Sequence, residues 1–138
     1  MIWIPTLLLI ASYTPQESEL DRILRQFKQA RTNARTEKEF ARSVEEAQKA
    51  IQYYLKKNPN SPNRSKAAWA FAESFLYKMD FPAAIRAFDR FTLDYPNDPR
   101  VPSAHLAAAE ICMRLEDDKE ARKRLEEWKT KYPRDPRI

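Results

Sequence analysis

Apolar residues recur along this chain at intervals of three and four, the spacing that lines one side of an α-helix. Leu20, Ile23, Leu24, Phe27 and Ala30 form a first stripe. Phe40, Val44, Ala47, Ile51, Tyr54 and Leu55 form a second, which Asn58–Pro59 ends because a residue before proline leaves the helical region. A third helix runs to about Met79; Asp80 caps a fourth, which ends at Tyr95–Pro96. Asp98–Pro99 opens a fifth, with Pro102 inside a first turn that has no donor to lose, and a sixth follows Asp117 or Asp118 and ends near Tyr132–Pro133. Asp135–Pro136 stands where a seventh would open. Thr14, Pro15 and Glu17 predict the start of the first helix as cap, first position and capping box, and Thr36 with Glu39 repeats that logic for the second. Ser61–Pro62 reads as cap and first position of the third.

These elements repeat. The pairs Pro59/Pro62, Pro96/Pro99 and Pro133/Pro136 are successively displaced by 37 residues, as are Ala47/Ala84/Ala121 and Tyr54/Phe91/Trp128. A fixed period that runs through turns and helix interiors alike predicts stacked helix-turn-helix units, each burying its apolar face on its neighbours. Units are expected over about 14–59, 60–96 and 97–133, together a repeat domain of 14–138 behind an apolar segment of 1–13. The second helix is about five residues longer than its counterparts.

Composition narrows the fold further. No glycine occurs in 138 residues, so tight hairpins and phosphate-cradling glycine loops are disfavoured and strands are not expected. Twenty-five Lys and Arg against twenty Asp and Glu give a net charge of +5, with both signs interspersed along every helix. In the first helix Glu17, Glu19 and Asp21 come early and Arg22, Arg25, Lys28, Arg31 and Arg35 late, the order that complements the helix dipole. Those basic residues rotate around the helix instead of sharing the single face that a phosphate backbone would need, so no nucleic acid is expected.

The amino-terminal stretch differs in kind. Ile2 to Ala11 is apolar and contains Pro5, too short to span a bilayer where about twenty residues are required. It reads as the hydrophobic region of an export signal, without a Lys or Arg ahead of it and with Ala11 and Ser12 near a cleavage point. Leu9–Ile10–Ala11–Ser12 also resembles a lipobox in which serine replaces the cysteine that would carry lipid. Left in place, Ile2, Trp3, Ile4, Leu7, Leu8, Leu9 and Ile10 would dock on a partner or on a membrane surface.

Aligned on the alanine that lets two helices approach closely, the second unit reads Ala68, Phe71, Ala72, Phe75, then Ala84, Phe88, Phe91 and Pro96; the third reads His105, Ala108, Ala109, Cys112, then Ala121, Leu125, Trp128 and Pro133. This small-large order resembles the tetratricopeptide repeat. Departures are Met79 and Glu116 where that family turns on glycine, Phe91 and Trp128 where it prefers a small residue, and a period of 37 in place of 34. The variant Phe88-x-x-Phe91-x-x-x-Tyr95-Pro96-x-x-Pro99, echoed by Tyr132-Pro133-x-x-Pro136, resembles the envelope branch of the family. That branch includes the repeat lipoprotein of the outer-membrane β-barrel assembly machinery and the periplasmic Tol-Pal coordinator.

The resemblance implies an all-α fold: a right-handed superhelical array of antiparallel helix pairs, about six helices in a solenoid. It implies a non-enzymatic scaffold, periplasmic or envelope-associated in a bacterium, with a cytoplasmic placement as the alternative, and no cofactor or small-molecule substrate. It also implies that the inner face comes from the first helix of each unit: Lys66, Trp69, Glu73, Leu76 and Tyr77, then Ser103, Leu106, Glu110, Met113 and Arg114. Aromatic and methionine side chains there suit a groove for an extended or helical partner segment. The other reading is that Trp69 and Tyr77 simply pack on the first helix.

Catalytic constellations are sparse. One histidine and one cysteine exclude a Cys/His metal cluster and a CxxC pair, and His105 and Cys112, seven residues apart on a helix, stand about 10.5 Å apart, too far for a nucleophile and its base. Asp117–Asp118 and Glu126–Glu127 read as caps and solvated faces. Because no polar helix follows Trp128, apolar surface there is expected to be covered by another chain. Three functions compete: a scaffold holding its partner on the inner face, a structural subunit docked through residues 2–11 with the repeats as spacer, and a basic helical array that binds nucleic acid.

Overall fold

The computed structural model describes residues 17–137. Within them run six helices and no strand: α1 (Glu19–Asn33), α2 (Glu37–Lys57), α3 (Arg64–Tyr77), α4 (Phe81–Asp94), α5 (Val101–Arg114) and α6 (Asp118–Lys131). Each packs principally on the helix that follows it in the chain, the nearest-neighbour pattern of a repeat array. The chain is thus an all-α, tetratricopeptide-like array. α2 has 21 residues and its counterparts α4 and α6 have 14, a larger excess than its apolar stripe suggests. Ile2 to Ile10, expected to dock, and the Thr14–Pro15 start signal lie outside the described residues.

The repeat is written into the backbone. Asn58, Tyr95 and Tyr132 close α2, α4 and α6 with nearly the same dihedrals (φ −122°, −129° and −126°; ψ 65°, 58° and 59°), each N–H reaching back to the carbonyl of Tyr54, Phe91 or Trp128. Met79 and Glu116 end α3 and α5 at φ 55° and 59°. Around them the Asp80 N–H bonds to Phe75 O and Met79 N–H to Leu76 O, and in the next unit Asp117 N–H bonds to Cys112 O and Glu116 N–H to Met113 O. This is the Schellman closure, made here without the glycine that usually permits it.

Helix starts fit the sequence in part. Asp80, Asp117 and Thr36 each accept the N–H three residues on, as expected. α1 begins later than Thr14–Pro15 predicts: Ser18, in extended geometry, is its cap and accepts from Asp21 N, while Glu17 lies ahead of the helix and pairs with Arg25 at 2.8 Å. Ser61 and Asp98 do not open α3 and α5 either. Their side-chain oxygens accept the N–H two residues on, from Asn63 and Arg100, and so close a tight turn that delays each helix to Arg64 and Val101. Asp135 makes the same turn onto Arg137.

The main core joins α3, α4 and α5 through Ala72, Ala84, Phe88, Phe91, Val101, Ala104, Ala108 and Ile111. A second cluster ties Leu20 of α1 to Ile51 and Tyr54 of α2 and Ala67 of α3, and a third joins Phe27 to Val44 and Ala47. Ala30, placed on the buried stripe of α1, is exposed. The bare apolar surface expected at Trp128 is absent: its ring is 3 % exposed, its Nε1 donates to Pro102 O, and the Arg137 guanidinium stacks over it at 5.6 Å. The turn that follows α6 supplies the cover that a further helix would otherwise give.

Candidate functional site

Lys66, Trp69, Glu73 and Tyr77 fall at i, i+3, i+7 and i+11 of α3 and therefore share one face. The structure brings them together with Leu24, Phe27, Lys28 and Arg31 of α1, and with Arg100 just ahead of α5, around a groove of about 320 Å³. Its floor is aromatic. Tyr77 meets Phe27 edge-on at 5.7 Å and Phe40 at 6.3 Å, and the Arg31 guanidinium lies over the Tyr77 ring at 4.0 Å. Trp69 turns the other way, edge-on to Phe88 at 5.3 Å and Phe91 at 5.4 Å of α4. Of the two rings, Tyr77 packs on the first helix, while Trp69 packs on Phe88 and Phe91 of α4.

The remaining candidates do not join this groove. Leu76, Glu110 and Arg114 line a smaller recess of about 220 Å³ with Met79, Phe81, Ala107 and Ile111. Ser103 receives a hydrogen bond from Arg137 at 3.0 Å, Leu106 is half-buried and Met113 is exposed near the end of α5. Sequence reading missed Phe27, Lys28, Arg31 and Arg100. The signal available was that α1 occupies the first-helix position of its own unit, so its face is equivalent to that of α3.

Cations border the groove: Lys28, Arg31, Lys66 and Arg100 stand against the single carboxylate of Glu73. Lys66 reaches Asp21 at 2.6 Å and, together with Ser18, holds that carboxyl below its usual range. The Arg100 guanidinium grips Asp98 and lowers it to about 2, while facing the rings of Trp69 and Phe91 at 6.0 Å each. With Lys66 and Arg100 so paired, Lys28 and Arg31 against Glu73 leave the rim a net positive charge that attracts acidic groups, and the rings beneath offer apolar area at small entropic cost.

Chemistry elsewhere is quiet. Burial and nearby Lys131 push the His105 imidazole below its ordinary value, and its ring stacks near Tyr132 at 6.0 Å. The buried Cys112 thiol is pushed up, away from the reactive thiolate. Asp117 is spent on capping α6 and Glu126 on Lys129. Among the described residues no three His, Cys, Asp or Glu side chains come together as a metal site, and no helix is long and apolar enough to cross a membrane.

With the helix pairs and their groove in place, comparison with known proteins adds one finding. Residues 70–136 match the family model of the tetratricopeptide repeat. The matched stretch starts inside α3 and continues through α6, so it covers most of the second helix pair and all of the third. Repeats of this family generally mediate protein–protein interaction and generally act as scaffolds without catalysis. No curated protein matches the chain.

Proposed function

We propose that this chain is a non-enzymatic scaffold that holds a segment of a partner protein in the α1/α3 groove, as an accessory or assembly subunit of a bacterial envelope or membrane-associated complex. The observation that carries the reading is the groove itself: Phe27, Trp69 and Tyr77 under a rim of Lys28, Arg31, Lys66 and Arg100, on the helix face that repeats of this kind use for partners. The envelope assignment draws its support from the Phe88-to-Pro99 pattern and the export-like run of Ile2 to Ala11. Copurification from native membranes tests it. The charge reversal Lys28→Glu, at an exposed rim position outside the core clusters, takes the rim from four cations against one carboxylate to three against two, and is expected to release the partner while helicity and Tm stay as in the wild type. A partner retained at full yield would refute the site.

The apolar run Ile2–Ala11 favours a second reading, in which those residues dock the subunit and the repeats act as a spacer. Deleting residues 1–13 separates the two: the partner persists under the first reading and is lost under the second.

A further inference from the structure

We propose a second docking site on the opposite side of α3, between α2 and α4, which takes an amphipathic helix whose apolar side is flanked by acidic residues. Arg64, Ala68, Phe71 and Phe75 fall at i, i+4, i+7 and i+11, the face of α3 turned away from Lys66, Trp69, Glu73 and Tyr77. With Leu55 of α2 and Ala83, Arg86, Ala87 and Arg90 of α4 they border a groove of about 390 Å³. This site does not depend on the α1/α3 groove, because it shares no residue with it.

The fold does not require this groove to be open. Advancing 37 residues converts Ala68, Ala83 and Ala87 into His105, Glu120 and Arg124. There Arg124 makes two bonds to Asp89 at 2.8 and 2.9 Å and a third to Glu120 at 2.9 Å, and the equivalent space, bordered by His105, Trp128 and Tyr132, shrinks to about 130 Å³. One unit fills the position with a salt-bridged arginine, whereas the other leaves three alanines beside Phe71, Phe75 and Phe91.

Charge and geometry specify the occupant. Arg64, Arg86 and Arg90 face one carboxylate, Asp94. Arg90 spends its charge on Asp94 at 2.9 Å and Arg64 donates to the carbonyls of Leu55 and Asn58, while exposed Arg86 makes no hydrogen bond or ion pair among the described residues. The rim therefore favours acidic groups. Floor and walls are all helices, whose backbone groups are already bonded, so an extended segment would bury its own N–H and C=O groups without partners; a helix satisfies them internally.

The test is fluorescence anisotropy of the full chain with two labelled helical peptides of about 14 residues, or four turns. Both carry the same leucine face, one flanked by glutamate and the other by lysine. The glutamate peptide is expected to bind about tenfold or more tightly than the lysine peptide. It should lose about tenfold in Gln52→Asp/Ala87→Arg, which copies the Asp89–Arg124 pair one unit earlier, and in Arg86→Glu, whose exposed position leaves the fold intact. Lys28→Glu, in the other groove, should leave this binding unchanged. Equal affinity for the two peptides, or undiminished binding in Arg86→Glu, overturns the proposal. Two further outcomes also overturn it: binding that appears only after removal of residues 1–16, which assigns the groove to the chain's own amino-terminal segment, and self-association that vanishes when the groove is filled, which assigns it to a second copy.

Discussion

Met79 and Glu116 hold positive φ values of 55° and 59° although each carries a Cβ, because the Schellman bonds that close α3 and α5 fix them there. That conformation costs a non-glycine residue about 1–2 kcal/mol, part of which glycine would return as lost chain entropy. Met79→Gly and Glu116→Gly are therefore each expected to stabilise the array by about 0.5–1 kcal/mol in urea unfolding; a loss of stability would mean that the side chains matter more than the backbone. Asp98 acts in the opposite sense. Its carboxyl titrates near 2 in the folded chain against 3.8 ordinarily, so its stabilising effect is complete above 3.8 and fades as pH falls toward 2. Asp98→Asn should cost about 1–2 kcal/mol at neutral pH and nothing once the wild-type carboxyl is protonated, a convergence visible in paired denaturation curves across that window.

At the scale of the helices, local chemistry decides most of what is seen. Thr36, Asp80 and Asp117 cap the helices they precede, and Asn58 and Tyr95 end α2 and α4 just ahead of a proline, so those boundaries were legible. Ser61 and Asp98 looked equally like caps, yet their oxygens close the preceding turn, a choice between two N–H partners that composition cannot reveal. Asp80→Ala is expected to cost about 1 kcal/mol through the lost cap on α4, measurable as a lowered Tm. The α3 face of the groove was reached only through the resemblance to the tetratricopeptide repeat, which puts Lys66, Trp69, Glu73 and Tyr77 on one inner face. The contribution of α1 was not reached, because it depends on how units stack, and Trp69 was assigned only half its role. That ring rests on Phe88 and Phe91 as well as lining the groove, so Trp69→Ala should cost about 2 kcal/mol, less than a fully buried tryptophan, in addition to weakening partner capture. Unchanged stability would place the ring outside the core.

Across the whole molecule, each helix depends principally on its sequence neighbours, so the array is a ladder of adjacent interfaces, with one groove bordered by α1 and α3 and another by α2, α3 and α4. That arrangement lets a surface be rebuilt in one unit without disturbing another, as the alanine-lined and arginine-filled versions of one groove show. It also explains why the proposed partner-binding face combines residues of α1 and α3. Site-specific photo-crosslinking in native membranes tests this most directly, with p-benzoyl-phenylalanine placed at Tyr77 inside the α1/α3 groove and, separately, at Leu93, which is 74 % exposed and lies outside it. A discrete adduct to one protein from position 77 and none from position 93 is the predicted result; capture from position 93 alone, or from neither position while residues 2–11 crosslink, would contradict it.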